Sequence, residues 1–205
     1  MAVKLWRIEM RPDRLFGNVP PKRPLDSLEA IVEDWQMRFI EGDAKKFRDT
    51  VVDYCVKADS FEEAVWRACY SRNELNKKHN HQSKVKNEVL MKWCDVIVAR
   101  TEPRNIVSFD QLFDHLELLL IKGIGPVTHY DVATRIGAYL KLEPEQLYLH
   151  AGVLDGWKLL HKYNEKWPFR IRRIYWPRAL QVLPADQVED LLCAYRTFLK
   201  PEMNG

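Results

Sequence analysis

Cysteine is scarce in this 205-residue chain: Cys55, Cys69, Cys94 and Cys193 are the only four, and none stands at CxxC or CxxH spacing. That excludes a disulfide framework and a cysteine-based metal site, and predicts reduced thiols inside helices. No apolar run reaches membrane length, and no signal peptide or lipidation motif is present, so a cytoplasmic protein with no membrane partner is expected. An excess of one charge is missing as well. The formal net charge is +3, too small by itself to announce a polyanion partner.

What the chain does have is a substantial apolar content, 46 % hydrophobic residues, enough for a real core at this length. The charge is also unevenly spread. Acids outnumber bases between Ser27 and Glu63, whereas Lys and Arg dominate from Arg67 to Arg100. From Lys158 to Arg178, seven bases (Lys158, Lys162, Lys166, Arg170, Arg172, Arg173, Arg178) face Glu165 alone. In the run KWPFRIRRIYWPR these bases alternate with aromatics; Arg170, Arg172 and Arg173 are candidate phosphate contacts, and Trp167, Phe169 and Trp176 candidate core.

Apolar spacing is helical almost throughout, which predicts an all-α fold of roughly nine helices. An N-terminal arm or loop is expected over 1–25, with prolines at 12, 20, 21 and 24, followed by one all-α domain over 26–205. Helices are expected from near Asp26 to Gly42, over about 44–57, from Ser60, and from Val85 to Ile97. Further helices are expected from Leu154 toward Pro168 and after Pro184. Ser60 with Glu63, and Ser108 with Gln111, have capping-box spacing, and Val107 with Leu112 is positioned to form a hydrophobic staple.

The most informative stretch is Leu118 to Leu140, LLLIKGIGPVTHYDVATRIGAYL. Phe109, Leu112, Phe113, Leu116, Leu119 and Leu120 form the apolar face of a first helix. Gly123 and Gly125 flank Ile124 in a reversal, and Pro126 suits the first turn of a second helix that buries Val132, Ile136 and Leu140. Helix, hydrophobic-Gly-hydrophobic-Gly, helix over 109–140 resembles the helix-hairpin-helix motif of DNA repair proteins. The layout around it is similar to that of the helix-hairpin-helix DNA glycosylases.

The resemblance implies that Lys122, Gly123, Ile124, Gly125, Val127 and Thr128 meet a phosphate of double-stranded DNA, with Ile124 as the apolar plug. It also implies a monovalent cation on the loop carbonyls; no other cofactor is expected, and a monomer is. The chain departs from the family pattern in three places. His129 stands where a small Ala is usual. Val127 stands where bifunctional members carry a lyase Lys, which excludes Schiff-base chemistry from that position. His150 stands where the catalytic Asp is expected.

Asp155, about a turn further on, and Asp131 are the alternative acids for the catalytic role, although Arg135 at i+4 offers Asp131 an ion pair. Either His150 or Asp155 acts on the flipped nucleotide, or there is no catalysis. The functional expectation is a monofunctional DNA glycosylase leaving an abasic site; the alternative is a non-catalytic helix-hairpin-helix DNA-binding module. The polar segment from Ser71 to Gln82 falls where the family places a loop that probes the base stack. Arg72, Asn73, His79, His81 and Gln82 are its candidate readers. His79 and His81 also suggest a metal pair, with His129 or His150 as a distant third ligand. That set is incomplete, so no transition metal is expected.

Overall fold

The computed structural model describes residues 24–41, 49–161 and 166–204, except for the side chains of 39–41 and 204. Most of the expected arm over 1–25, the start of the helix expected over 44–57, Lys162 and Glu165 lie outside the described residues. The protein is mostly helical, as the spacing predicts. Among the described residues there are eight α-helices: α1 (Leu28–Glu41), α2 (Thr50–Val56), α3 (Phe61–Tyr70), α4 (Asn87–Arg100), α5 (Phe109–Leu118), α6 (Pro126–Leu140), α7 (Ala151–Leu160) and α8 (Ala185–Ala194). Two three-residue strands, β1 (Gln146–Tyr148) and β2 (Arg170–Arg172), are the only extended elements among them. No helix among the described residues is long and apolar enough to cross a membrane.

The described chain divides into two compact units, one within 49–150 and one formed by segments of 1–48 and 151–205. The second unit is discontinuous in sequence, so the chain leaves it after its first helix, builds the hairpin unit, and returns.

In the hairpin unit α6 is the central helix, packing on α2, α3 and α5, while α3 also packs on α4. Val132, Ala133 and Ile136 of α6 are buried in one cluster with Val65, Cys69, Trp93, Ile97, Phe109, Leu112 and Phe113. Local sequence sets the helix starts. Ser60 Oγ accepts from Glu63 N at 3.1 Å and Glu63 Oε2 accepts from Asp59 N at 2.9 Å. Ser108 Oγ accepts from Gln111 N at 3.2 Å and Gln111 Oε1 accepts from Val107 N at 3.0 Å. Both capping boxes thus form, with the returning side chain reaching one residue beyond the cap. The staple does not: Val107 is 73 % exposed, so nothing apolar closes on Leu112 from that side. Leu120 is likewise half out of the core. At the other end of α5's first turn, Asp110 accepts from Gln146 Nε2 at 2.6 Å and from the Tyr148 hydroxyl, tying the helix to β1.

In the discontinuous unit α7 packs on α8. Their backbones approach so closely that a Cβ on Gly156 would lie 2.5 Å from the Leu192 carbonyl oxygen. Gly152, expected to end a segment, instead lies inside α7 with Cys193 Sγ against it. Helix α1 buries Leu28, Ile31 and Trp35, and Trp35 Nε1 donates to Gln187 Oε1 at 3.3 Å. All four cysteines are free thiols. Burial pushes Cys55 and Cys193 up to about 12, so neither is poised for thiolate chemistry.

Candidate nucleic-acid interface

The turn between α5 and α6 begins with Ile124 N donating to Ile121 O at 3.2 Å, which closes a β-turn over Ile121–Ile124. Gly123 takes its third position at φ +102, a conformation that a side chain resists. Space also demands glycine there, because a Cβ would sit 3.2 Å from Val89 Cγ1. Ile121 and Ile124 are partly buried and pack against the unit's core, which suits the plug that the resemblance implies for Ile124.

Gly125 is different. Its backbone is extended (φ −95, ψ 170), and a Cβ on it would meet nothing within 4 Å. No side chain caps it, no acid stands in the first turn of α6, and Lys122, Gly123, Gly125 and Pro126 are all exposed. The first backbone N–H groups of α6 lack helical acceptors, and with the helix dipole they favour an anion there. Of the other expected contacts, Val127 is half-buried and Thr128 is buried. They can meet a phosphate through their backbone amides rather than through Thr128's hydroxyl.

His129 makes a specific contact across the hairpin. Its ring lies 3.9 Å from the Phe113 ring, and its Nε2 is 3.1 Å from the Phe113 carbonyl oxygen.

The candidate catalytic residues are placed apart in character. His150 is buried, its ring 4.6 Å from that of Tyr130. Asp155 has a side chain 55 % exposed and pairs with Arg196 at 3.2 Å. Asp131 is the organised one. Its Oδ2 accepts from Gln82 Nε2 at 2.7 Å and lies 2.9 Å from His81 Nδ1, 3.8 Å from His79 Nδ1 and 3.9 Å from Arg135 Nη2. Burial would raise its pKa, but the His81 hydrogen bond and the Arg135 charge outweigh that and hold it at about 2. His81 is correspondingly raised, first by its bond to Asp131, whereas burial lowers His79.

The i+4 ion pair expected between Asp131 and Arg135 is present at 3.9 Å, alongside shorter bonds that Arg135 makes elsewhere. Arg135 is fully buried and aims its Nε at Asp49 Oδ2 (2.6 Å), its Nη1 at Ser71 Oγ (2.8 Å) and Ala68 O (3.2 Å), and its Nη2 at Gln82 Oε1 (3.1 Å). Asp49 also caps α2 through Val51 N. Arg135 thus ties α2, α3, α6 and the 71–82 segment together.

That segment is a tight loop, with Arg72 bridged to Lys78 and Asn76 in the left-handed region. Its expected readers are largely occupied with holding it. Asn73 Oδ1 accepts from Leu75 N and Lys77 N, Arg72 Nη1 donates to Asn76 O, and Gln82 is fully buried with both ends of its amide engaged. Among its exposed residues are Leu75, 86 % exposed at its tip, and the half-exposed His81. Leu75 carried no signal of its own in the sequence, because an apolar residue in a polar loop reads as incidental.

In the basic run, Arg172, Ile174 and Tyr175 are exposed and Trp176 is buried, its Nε1 donating to Ile171 O at 2.9 Å. Phe169, expected in the core, is 38 % exposed. Arg173 is exposed but uses its guanidinium on the Gln181 and Leu183 carbonyls, and Arg170 is half-buried. A solvent-open depression of about 400 Å³, lined by Arg100, Glu102, Ile106, Gln111 and His115, contains none of the expected site residues. No family model, curated protein or solved structure matches the chain.

Proposed function

We propose that the protein binds the backbone of duplex DNA through the Lys122–Thr128 turn, as a helix-hairpin-helix module. The carrying observation is the open, uncapped and acid-free start of α6 at Gly125, with Lys122 exposed beside it. Such a site reads phosphate and not base, so affinity is largely independent of sequence and falls steeply with salt as counterions are released. Arg172 and the exposed Ile174 and Tyr175 supply a second surface of basic and stacking chemistry.

Base excision is the extension of this reading. Leu75 favours it, since an exposed apolar tip on a braced loop is suited to enter a base step. His150, Asp155 and Asp131 are its candidate acid–base groups.

The two glycines make the test clean. Gly125→Ala fills open space at an ordinary φ, so it leaves folding intact and crowds only the phosphate. Gly123→Ala strains the turn and presses on Val89 as well. Fluorescence anisotropy with a labelled duplex is expected to show Gly125→Ala binding about tenfold or more weakly, a loss of roughly 1.4 kcal/mol, at unchanged thermal stability. Salt-insensitive binding that ignores Gly125→Ala would remove the hairpin from the interface. Incubating the protein with alkylated, deaminated, oxidised and glycosylated duplexes tests the extension. Alkali-labile abasic sites, with no cut before alkali, are its expected product.

A further inference from the structure

Of the groups outside the Lys122–Thr128 turn, the most organised is the trio His79, His81 and Asp131, whose ligand atoms lie within 4.8 Å of one another. We propose that His79 Nδ1, His81 Nδ1 and Asp131 Oδ2 form a three-ligand site for a divalent transition metal of the zinc type. This inference is independent of DNA binding.

Two imidazoles and a carboxylate are the donor set that such ions take, and a third protein ligand with a vacant fourth position is the pattern of an exchangeable or reactive site. Tetrahedral bonds of about 2.0–2.1 Å put neighbouring ligand atoms about 3.3 Å apart. The two edges to Asp131, 2.9 Å and 3.8 Å, bracket that value. The rings of His79 and His81 are perpendicular with centroids 4.7 Å apart, so rotation of the half-exposed His81 closes the third edge. That same exposure gives an ion its way in.

A purely structural ion pair explains only part of the arrangement. A proton shared between His81 and Asp131 accounts for those two groups. It leaves His79 Nδ1 buried with no hydrogen-bond partner, 3.8 Å from the carboxylate. An unbonded buried nitrogen costs stability unless something occupies the space it faces.

The surroundings are also arranged as a metal's outer shell. His79 Nε2, on the far side of the ring, is 3.9 Å from Asp49 Oδ1, placing a carboxylate behind a ligating histidine. Arg135 is a nearby cation that could repel the ion. Its fork is directed at Asp49, Ser71, Ala68 and Gln82, and it stands 3.9 Å from Asp131. Asp49 takes the shortest bond of Arg135 and offsets part of its charge, while the remainder still reaches Asp131 and the histidines. The backbone fixes the pair in advance: His79 N donates to Ser71 O at 2.8 Å, and Gln82 N donates to His79 O at 3.2 Å.

The test uses the full chain stripped with a chelator and then titrated with Zn2+ against a chromophoric competitor, or with Co2+ read by its visible d–d bands. The wild type is expected to take up a single equivalent, with cobalt intensities typical of a four-coordinate site. His81→Gln and His79→Gln are each expected to weaken binding by at least the roughly 10–100-fold that even outer-shell changes cause, with unchanged far-UV circular dichroism. His115→Gln, outside the cluster, keeps the site. Zinc should raise the unfolding midpoint of the wild type and not of His81→Gln, because a ligand stabilises only the state that holds it. His81 is exposed enough that its replacement leaves the fold in place, so the result does not hinge on Asp131→Asn surviving. No stoichiometric uptake by the wild type, or uptake equal in both histidine variants, overturns the proposal.

Discussion

Each unit buries an arginine beside an aspartate, and the two arrangements differ in how completely they close. In the discontinuous unit Arg38 Nε donates to Asp34 Oδ2 at 2.6 Å within one helix turn, and the Tyr195 hydroxyl donates to the same oxygen at 2.5 Å. Burial, and then that bond, pushes the Tyr195 hydroxyl far above its ordinary value. All three groups are buried, and the Asp34 oxygen accepts from two donors. In the hairpin unit Arg135 joins four segments, and the carboxylate next to it meets two histidines, one exposed and one with an unbonded nitrogen. A closed buried network is what a core needs; an open one beside solvent is where binding chemistry is available.

The largest expected effect breaks the comparison if it fails. Arg135→Met removes a fully buried charge and takes the ion partner from Asp49 and the donor from Gln82 Oε1, so a loss of about 3–5 kcal/mol is expected. Arg38→Met leaves Asp34 its Tyr195 donor, so its cost should be smaller, about 1–3 kcal/mol for a buried acceptor losing one partner. Urea unfolding of both variants decides it. Equal costs would mean that the four-segment network is no more cooperative than the single-helix pair.

A smaller effect separates the units by pH. The contribution of Asp131 is complete above its unfolded pKa of about 3.9 and is lost as pH falls toward its folded value of about 2. His81 is raised, so its contribution is complete below its unfolded pKa of about 6.5 and is lost as pH climbs through the higher folded value. His79 is lowered by burial and runs opposite, giving stability at higher pH that is lost on acidification. The difference in unfolding midpoint between wild type and His81→Gln, measured without metal, should therefore shrink as pH rises past neutrality. A difference that grows would place the proton elsewhere. Arg38→Met and Tyr195→Phe should show no such trend over that range, because both groups are raised further above neutrality.

What could be read from sequence follows the range of the interactions. The caps at Ser60 and Ser108, the turn at Ile124 and the positive φ of Gly123 are set within a few residues, and their spacing shows them. The partner of His81 does not come from spacing, because Asp131 lies fifty positions away. Local pairing rules assign Asp131 to Arg135, while the shortest bond of Arg135 goes to Asp49, eighty-six positions earlier. The same blindness makes Gln82 look like a reader when it is a buried brace. The staple at Val107 fails for another reason: it is a local pattern that tertiary packing was free to ignore.

The smallest expected effect concerns the far end of α6, where Lys141 closes the helix in the left-handed region at φ 60, its N–H directed at Ala138 O and Gly137 O. A side chain in that conformation costs about 1–2 kcal/mol, and glycine removes the cost while adding freedom to the unfolded chain worth about 0.4–1 kcal/mol. Lys141→Gly should therefore stabilise the hairpin unit slightly, by about 0.5 kcal/mol once the two terms are set against each other. Lys141 is exposed and fifteen residues past Pro126, so the proposed phosphate site at the helix start should be untouched. The expected result is a small rise in unfolding midpoint with unchanged affinity for a labelled duplex. A fall in midpoint would show that the lysine side chain itself holds the helix end, and weaker DNA binding at equal stability would extend the interface along the whole of α6.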